Sequence, residues 1–349
     1  METTLHEDLA SPVPPSGVSS PLVSPSLVSK LDSETLIRAI ERATLERTGD
    51  DRRIGIFGPA SMSWKINREA ALFLGAGRAA LLQLAHPWVA TALEQHSSLM
   101  SRPIARFHST FRIVFAMVFG SLDQALAAAR HLYTRHTRVR GEMPQDIASY
   151  SRGSLYEANE VAALLWVYAT LVESAVLAYE CAMPPLTADE LAEYYAESRT
   201  LAALFGLPPA ALPESWTTFL TYCRHMEQSN ALGVSDTARK MAHNLMVGAG
   251  SWIKPPRWYR ALTTKWLPQR LRMEFALNFD AAEEQAATHA QQRLPRFYRS
   301  LPDAVRFVGP WHEARARLDG KTAGSMTRLS NRFWIGQSYL PFAVRQLNL

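Results

Sequence analysis

The sequence predicts an all-α protein. Apolar residues recur at helical spacing along most of the 349-residue chain, as expected for helices that bury one face. Two capping boxes mark helix starts, with Gln124 three residues after Ser121 and Glu190 three residues after Thr187. Glycine and proline separate the helical segments. The chain is long enough for one large helical domain or two small ones, with a sizeable core.

The composition excludes several classes of function. Hydrophobic residues make up 47% of the chain and charged residues 20%, which is ordinary for a globular protein. The net charge of +5 is mild, and the basic residues are not grouped with aromatic residues, so no nucleic-acid partner is expected. Cys181 and Cys223 suggest neither a disulfide framework nor a C-x-x-C-H haem attachment motif. We therefore expect structural cysteines in a reducing compartment.

A polar tail precedes the first helix. Residues 1–31 are rich in serine, proline, valine and leucine without helical periodicity, so we expect a disordered N-terminal tail. The tail lacks the basic start and continuous apolar core of a signal peptide and does not form a transmembrane anchor, which favours a cytoplasmic protein. Asp32 or Ser33 is expected to cap a helix that runs to about Arg47.

The next two helices meet at a proline. A long helix is predicted from Trp64 to Ala85, and Pro87 ends it and can open the following helix. On that following helix His96 shares an apolar stripe with Leu93. We therefore expect His96 to face inward.

The segment 106–141 carries the main candidate residues. It has the pattern of two amphipathic helices joined at Gly120 and Ser121. His136 continues an apolar stripe of the second helix and is expected to point inward. That stripe consists of Leu122, Leu126, Ala129, Tyr133 and His136. His131 falls on the other side of the same helix, where water is expected to reach it.

The first helix of this pair places polar side chains on an apolar face. Arg106 and Thr110 share that face with Ile113 and Met117. Burying an unpaired charge is costly, so an anionic or strongly polar group is expected to meet Arg106. A neutral imidazole at His136, facing this arginine and hydroxyl, would suit a haem, with the arginine meeting a propionate or bound oxygen. The alternative is a hydrogen-bonded core histidine.

A long helix is predicted over Leu155–Met183, after a polar loop. Its apolar run is interrupted by Glu173 and Glu180, whereas about twenty apolar residues are needed to span a bilayer, so we expect a buried central helix. Tyr168 on this helix could donate to haem-bound oxygen or be a core tyrosine with a satisfied hydroxyl. Further helices are predicted over residues 188–205, 214–228 and 236–247, followed by a charged helical remainder from 280.

An ordered set of short motifs runs from about Trp64 to about Phe279. They are Gly77-Arg78-Ala79, Gln83-Leu84-Ala85-His86-Pro87, Glu94-Gln95-His96-Ser97, Arg106 with Thr110, Phe119-Gly120, His136 with Val139 and Gly141, Tyr150, Leu165-Trp166-Val167 and Ala169-Thr170-Leu171. In this order they resemble the catalytic domain of MpaB-type oxygenases and rubber oxygenases (latex clearing protein). The resemblance continues past the break at residues 248–256. It therefore implies one helical domain over residues 32–349, packed around a buried b-type haem.

Carried over residue by residue, the resemblance makes His136 the proximal iron ligand and places Arg106 and Thr110 in the haem pocket. Ser109 stands where rubber oxygenases carry a lysine, and Tyr168 stands where many relatives have a histidine. The resemblance therefore leaves the substrate open. For His96 three roles remain open, namely a second iron ligand, a proton donor to bound oxygen, or a core histidine bonded to a backbone carbonyl.

The resulting hypothesis is a haem b-dependent oxygenase that uses dioxygen on an apolar substrate, since better-studied members of the family cleave carbon–carbon double bonds of isoprenoid chains. Arg106, Thr110, His96 and Tyr168 are the candidate catalytic residues. The candidate cofactor-binding residues are His136, Arg106 and Thr110, with His136 as the metal ligand.

Two alternatives to this hypothesis remain. One is a haem protein that binds oxygen without catalysis. The other is a haem-free cyclase, dehydratase or isomerase that uses Arg106, Tyr168 and His96 as acid–base groups. The arginines of the C-terminal remainder fit solvated helix faces or peripheral contact with an anionic membrane surface. The oligomeric state is not indicated by the sequence.

Overall fold

Helices dominate the computed structural model, which describes residues 27–97, 102–251 and 254–341. Within these ranges the chain forms sixteen α-helices, three short 3-10 helices and one two-stranded sheet. One continuous cluster of buried apolar side chains extends from Val28 near the start of the described chain to Leu340 near its end. The predicted all-α fold in a single large domain is therefore confirmed.

The helices follow one another in this order. The first eight are α1 (Lys30–Thr48), α2 (Met62–Asn67), α3 (Ala76–Leu84), α4 (Pro87–His96), α5 (Pro103–Phe119), α6 (Leu122–His136), α7 (Val161–Ala182) and α8 (Ala188–Leu204). The last eight are α9 (Trp216–Gln228), α10 (Asp236–Val247), α11 (Arg257–Lys265), α12 (Gln269–Glu274), α13 (Ala281–Arg299), α14 (Asp303–Arg306), α15 (Gly309–Leu318) and α16 (Ser325–Ile335). The 3-10 helices are Arg52–Ile54, Ala70–Leu74 and Pro209–Ala211, and the strands are β1 (Arg140–Glu142) and β2 (Leu155–Glu157).

Helix α1 begins earlier than predicted. Ser29, and not Asp32 or Ser33, is the N-cap, and its hydroxyl accepts a hydrogen bond from the Asp32 amide at 3.0 Å. Val28 is buried, and its amide donates to the Asn159 carbonyl at 3.1 Å. The last residues of the predicted tail are therefore fixed against the domain. Residues 1–26 of that tail lie outside the described residues.

The long helix predicted from Trp64 to Ala85 is divided into α2, a 3-10 helix and α3. The break lies at Glu69, which is extended because its backbone bridges to Phe307 and its buried carboxylate accepts a hydrogen bond from the Tyr298 hydroxyl at 3.0 Å. Gly75 then allows close packing on α7, since a Cβ at this position would lie 2.4 Å from the Ser174 carbonyl oxygen. These contacts are made by distant parts of the chain, so helical periodicity could not indicate the break.

The connection between α6 and α7 also differs from the prediction. Residues 155–157 form β2, which pairs antiparallel with β1 so that Gly141 lies opposite Tyr156. Helix α7 therefore begins at Val161 and not at Leu155. The Glu160 carboxylate caps it by accepting a hydrogen bond from the Ala163 amide at 2.8 Å. This hairpin carries the chain from His136 back to the first turn of α7.

Helix α7 is the predicted buried central helix. Among the described residues it is the one helix long and apolar enough to cross a membrane, yet 72% of its most apolar window is buried inside the protein. It packs against α3, α9 and α13. These contacts fit a core helix.

A buried ion network joins α7 to α3 and α9. The Arg78 guanidinium lies 2.9 Å from Glu173 and 2.9 Å from Glu227, and it also donates to the Ser174 hydroxyl at 3.0 Å. Burial and the neighbouring Glu173 raise the pKa of Glu227 to about 7, although Arg78 opposes this. One arginine therefore compensates two carboxylates incompletely.

The raised pKa of Glu227 predicts a pH-dependent stability. Its pKa rises from 4.5 to about 7 on folding, so the folded protein holds the proton more tightly. The stabilisation of the folded state by the protonated Glu227 is fully present below about pH 4.5 and is lost as the pH rises through about 7. The total decrease in the free energy of unfolding is at most about 3 kcal/mol. Glu227→Gln should remove this loss and leave the variant more stable than wild type at pH 8. Urea unfolding at pH 5 and pH 8 measures the free energy of unfolding of both proteins, with the exposed Glu214→Gln variant as control. An equal change in this free energy between the two pH values in all three proteins would contradict the assignment.

Candidate active site

The turn between α5 and α6 fixes which residues can meet. The Ser121 hydroxyl accepts from the Gln124 amide at 3.3 Å, and the Gln124 side chain accepts from the Ser121 amide at 2.8 Å, which confirms the predicted capping box. Gly120 allows the sharp turn, since a Cβ there would lie 2.2 Å from the Ala116 carbonyl oxygen. Arg106 is fourteen residues before this turn and His136 fifteen residues after Ser121. An antiparallel helix pair therefore brings them to the same end.

Arginines surround that end of the helix pair. Burial, and then the charge of Arg135, lower the pKa of Arg106 to about 10. The same two causes lower the pKa of Arg112 on the next turns of α5. Arg135 itself donates to the Ser109 hydroxyl at 3.1 Å. We call Arg106, Arg135 and His136 the arginine–histidine cluster.

The charge of Arg106 is not balanced by a carboxylate in the described part of the chain. Within the parts of the chain that the structure describes, no carboxylate oxygen lies within 4.0 Å of the Arg106 guanidinium, and its electrostatic neighbour is another cation. Arg106 also lies near the N-terminal end of α5, where the helix dipole disfavours positive charge. An anion entering this end of the hairpin would therefore be strongly stabilised.

His136 is neutral at physiological pH. Burial, Arg106 and Arg135 together lower its pKa to about 4, while the Asn159 side chain favours the protonated ring. The residue is half-buried, but its Nδ1 atom is fully buried and has no hydrogen-bond partner of normal geometry. A neutral imidazole has one unprotonated ring nitrogen, and that nitrogen can ligate a metal. The expectation that the His136 ring faces the protein interior thus agrees with the structure.

Thr110 supports Arg106 through the backbone. Its hydroxyl donates to the Arg106 carbonyl at 3.0 Å, one turn back along α5. The donor is therefore used, and the oxygen retains lone pairs that can accept a hydrogen bond. Thr110 thus contacts Arg106, and Arg106 lies close enough to His136 to lower the pKa of its ring.

His131 does not face water, so that prediction is wrong. Its exposed fraction is 7%, and its Nε2 atom is buried without a hydrogen-bond partner among the described residues. Burial and the charges of Arg135 and Arg138 lower its pKa. This side of α6 is covered by other parts of the chain, as shown by Gln124, whose side chain donates to the Leu340 carbonyl at 3.3 Å.

His96 was expected to face inward and is instead exposed. It is the last residue of α4, and its Nε2 atom lies 3.1 Å from the Arg140 carbonyl and 3.1 Å from the Tyr156 hydroxyl. A bond to a backbone carbonyl was one of the three roles considered. The contacts tie α4 to the β-hairpin next to His136, which fits a positioning role.

Tyr168 is completely buried at the interface of α7 with α8. Its hydroxyl is 2.7 Å from the Ser198 hydroxyl, and its ring packs edge-on against Phe219. Burial raises its pKa well above the ordinary value. No described contact joins it to Arg106 or His136, and this placement favours the interpretation as a core tyrosine.

Sequence reasoning missed Asn159, which lies beside His136, and its neighbour Glu160. Asn159 and Glu160 follow β2, and Asn159 Oδ1 and Glu160 Oε1 are buried without a hydrogen-bond partner in the described chain. Glu160 directly precedes the apolar run of α7, so the sequence could have indicated it as the N-cap of that helix. The position of Asn159 depends on the β-hairpin, which periodicity did not indicate.

Two of the motif residues also meet. The Tyr150 hydroxyl lies 3.2 Å from Nε2 of the buried His86, and the Trp88 ring packs on both. Burial lowers the pKa of His86 to about 4, and burial and Glu160 raise that of Tyr150 to about 12. Trp88 Nε1 and His86 Nδ1 are buried without a partner in the described ranges. A second group of unsatisfied polar atoms therefore lies near Glu160.

One family model matches most of this region. It is described as the catalytic domain of the ER-bound oxygenase mpaB/B' and rubber oxygenase, and it covers residues 64–301. The chain belongs to the mpaB/rubber oxygenase family. Neither a curated protein nor a solved structure matches it.

Membership of the mpaB/rubber oxygenase family has two consequences. The family is one of oxygenases, so the chain is assigned to this class of oxidoreductase. The matched range includes α5, α6 and the arginine–histidine cluster, and it ends between α13 and α14. Helices α14, α15 and α16 lie beyond it.

The uncompensated charge of Arg106 predicts an unusual mutational result. Arg106→Met in the ligand-free protein should raise the free energy of unfolding by about 1–3 kcal/mol, because it removes a half-buried cation that has no ion-pair partner among the described residues. Arg78→Met is the matched control, since it leaves Glu173 and Glu227 unpaired and should cost about 3–5 kcal/mol. Urea denaturation measures both variants. Destabilisation by Arg106→Met comparable to that of Arg78→Met would show that Arg106 is already compensated.

Proposed function

We propose that this protein is a haem b-dependent oxygenase that acts with dioxygen on an apolar substrate. The observation that carries the proposal is the juxtaposition of a neutral, half-buried imidazole at His136 with the guanidinium of Arg106, which has no carboxylate partner among the described residues. A haem needs a ligand for its iron and cations for its propionates. This end of the helix pair offers both.

The available donor groups fit a haem better than a metal ion held by protein ligands alone. The described residues contain no group of three or more histidine, cysteine, aspartate or glutamate side chains arranged to hold a metal. A porphyrin brings four nitrogen ligands, so the single imidazole of His136 is sufficient. When bound, the haem would supply the redox-active iron that dioxygen chemistry requires.

Asn159 is the residue that would orient His136. It lies beside the ring and favours its protonated form, but His136 Nδ1 and Asn159 Oδ1 both lack a hydrogen bond of normal geometry. A small rotation of either side chain would let Nδ1–H donate to Oδ1. Such a bond fixes the tautomer and leaves the other ring nitrogen for the iron.

Arg106 and Thr110 would act on the anionic groups of the site. Arg106 is held by its position in α5, and the Thr110 hydroxyl bonds to the Arg106 carbonyl. Donors that are already fixed before reaction stabilise developing negative charge without reorganisation. Arg106 would therefore hold a propionate or stabilise reduced oxygen. The Thr110 hydroxyl oxygen would accept a hydrogen bond from a donor group in the site through its remaining lone pairs.

The substrate is expected to be apolar. The face of α5 that carries Arg106 also carries the buried side chains of Ile113 and Met117. The site is therefore bordered by apolar side chains on that side. The resemblance to rubber oxygenases makes an alkene or isoprenoid chain the first candidate. Oxidative cleavage of a double bond places both atoms of dioxygen in two carbonyl products, so this reaction needs no external reductant.

The haem-free alternative receives less support. It required Arg106, Tyr168 and His96 to act together as acid–base groups. Tyr168 is occupied by Ser198 and His96 is exposed on α4, and no described contact joins either to Arg106. The non-catalytic haem protein stays a competing proposal that oxygen consumption can test.

Oxygen consumption should depend on an alkene. The haem-loaded wild type is expected to consume dioxygen when squalene is added and not with squalane, its saturated counterpart, because the double bond is what reacts. His136→Ala should reduce the rate to background, while His131→Ala, a buried histidine of the same helix, should keep most of it. An oxygen electrode measures the rate and mass spectrometry the carbonyl products. Reversible oxygen binding without consumption would instead establish an oxygen carrier.

A further inference from the structure

Helix α16 presents an apolar stripe to the outside of the protein. The side chains of Met326, Leu329 and Phe333 are 72%, 68% and 48% exposed. They are spaced by three and four residues, so they lie on one face of the helix. Exposed hydrophobic residues scattered singly are ordinary, but three on one helix face form a patch that fits a binding surface. We call these three residues the α16 stripe.

The opposite face of α16 is fixed to the active-site helix. Trp334 stacks on Phe73 with ring centroids 4.2 Å apart, and the Phe333 carbonyl lies 2.9 Å from Nε2 of His108 on α5. The buried Asn331 donates to Glu313 at 2.6 Å. The α16 stripe is therefore held at the surface by a rigid support, and it cannot turn inward without breaking these contacts.

Positive charge borders the stripe. Arg328 and Arg332 are exposed, and their hydrogen bonds go to the hydroxyls of Ser325 and Ser338. Within the described ranges neither has an ion pair with a carboxylate at 4.0 Å or less. Residues 320–349 contain four basic and no acidic residues, together with many apolar ones. The stripe thus lies in a segment whose charged side chains are all positive.

We propose that the outer face of α16 binds the surface of an anionic lipid bilayer. Leucine, methionine and phenylalanine flanked by arginine are the composition of helices that lie in the membrane interface. The apolar side chains would enter the acyl boundary, and Arg328 and Arg332 would meet lipid phosphates and carboxylates. Three side chains and two charges give reversible binding. This proposal does not depend on haem or on the identity of the substrate.

A second copy of the chain is the less favoured occupant. Pairing α16 with itself would bring Arg328 and Arg332 of both copies together, and like charges in an interface are repulsive. An anionic bilayer has the complementary charge. Charge complementarity therefore selects the lipid surface.

Vesicle sedimentation with the full chain tests the proposal. Wild type should sediment with vesicles of phosphatidylcholine and phosphatidylserine, bind much less to phosphatidylcholine alone, and be released by high salt. Met326→Ser with Leu329→Ser should abolish sedimentation, since both side chains are exposed and not needed for the core. Arg328→Gln with Arg332→Gln should weaken binding about thirtyfold, because each charge near the surface contributes about 1 kcal/mol.

Matched controls separate the stripe from general surface effects. Met273→Ser with Leu155→Ser removes two equally exposed apolar residues elsewhere, and Arg42→Gln with Arg224→Gln removes two exposed charges elsewhere. Both control variants should bind as wild type does, and thermal unfolding should show all variants folded. Absence of wild-type binding, or equal loss in the control variants, would overturn the proposal. So would a change of oligomeric state in the stripe variant with unchanged vesicle binding, because the stripe would then be a contact between copies.

Discussion

The positive charge of Arg106, which has no carboxylate partner among the described residues, is the constraint on which the proposed function depends. Arg106 and Arg135 lie near His136 at one end of the α5–α6 helix pair, and burial and mutual repulsion lower the pKa of Arg106 and keep His136 neutral. The ligand-free protein bears this cost at a position where Arg106 faces another cation. Such a cost is expected where a bound anion repays it. The same positive charge that destabilises the ligand-free site would hold propionates and stabilise reduced oxygen.

The contrast with Arg78 shows that the chain can compensate a buried guanidinium when the role is structural. Arg78 has two carboxylates and a hydroxyl as partners, and these bind α3, α7 and α9 together. Both arginines are part of the motifs by which the chain resembles its family. Arg78 is paired within the core, whereas Arg106 has no carboxylate partner among the described residues. This difference in surroundings is why a ligand-binding role is proposed for Arg106 and a structural role for Arg78.

The sequence was sufficient for the central juxtaposition because that depends on local signals. The Ser121 capping box fixes the turn, and helices of nearly equal length then bring Arg106, Thr110 and His136 together. The predicted side-chain positions were wrong where contacts with distant segments of the chain determine the structure. His131 is buried by contacts outside its own helix pair, and His96 ends α4 at the surface because the β-hairpin meets it there. Asn159 was missed for the same reason, since a three-residue strand pair places it.

Both positions at which the chain departs from its relatives are engaged internally. Ser109, in place of a lysine, accepts a hydrogen bond from Arg135, and Tyr168, in place of a histidine, bonds to Ser198. By the resemblance, the chain has a hydroxyl at Ser109 where rubber oxygenases have a lysine, and a phenol at Tyr168 where many relatives have an imidazole. A substrate different from that of rubber oxygenases would be consistent with them.

The absorption spectrum of freshly purified protein tests the central claim most directly, with wild type beside His136→Ala and His131→Ala. The account predicts a haem band in the wild type and in His131→Ala, and its loss in His136→Ala with the fold intact by circular dichroism. Equal haem bands in all three proteins, or no haem binding by the wild type after incubation with haem, would contradict it.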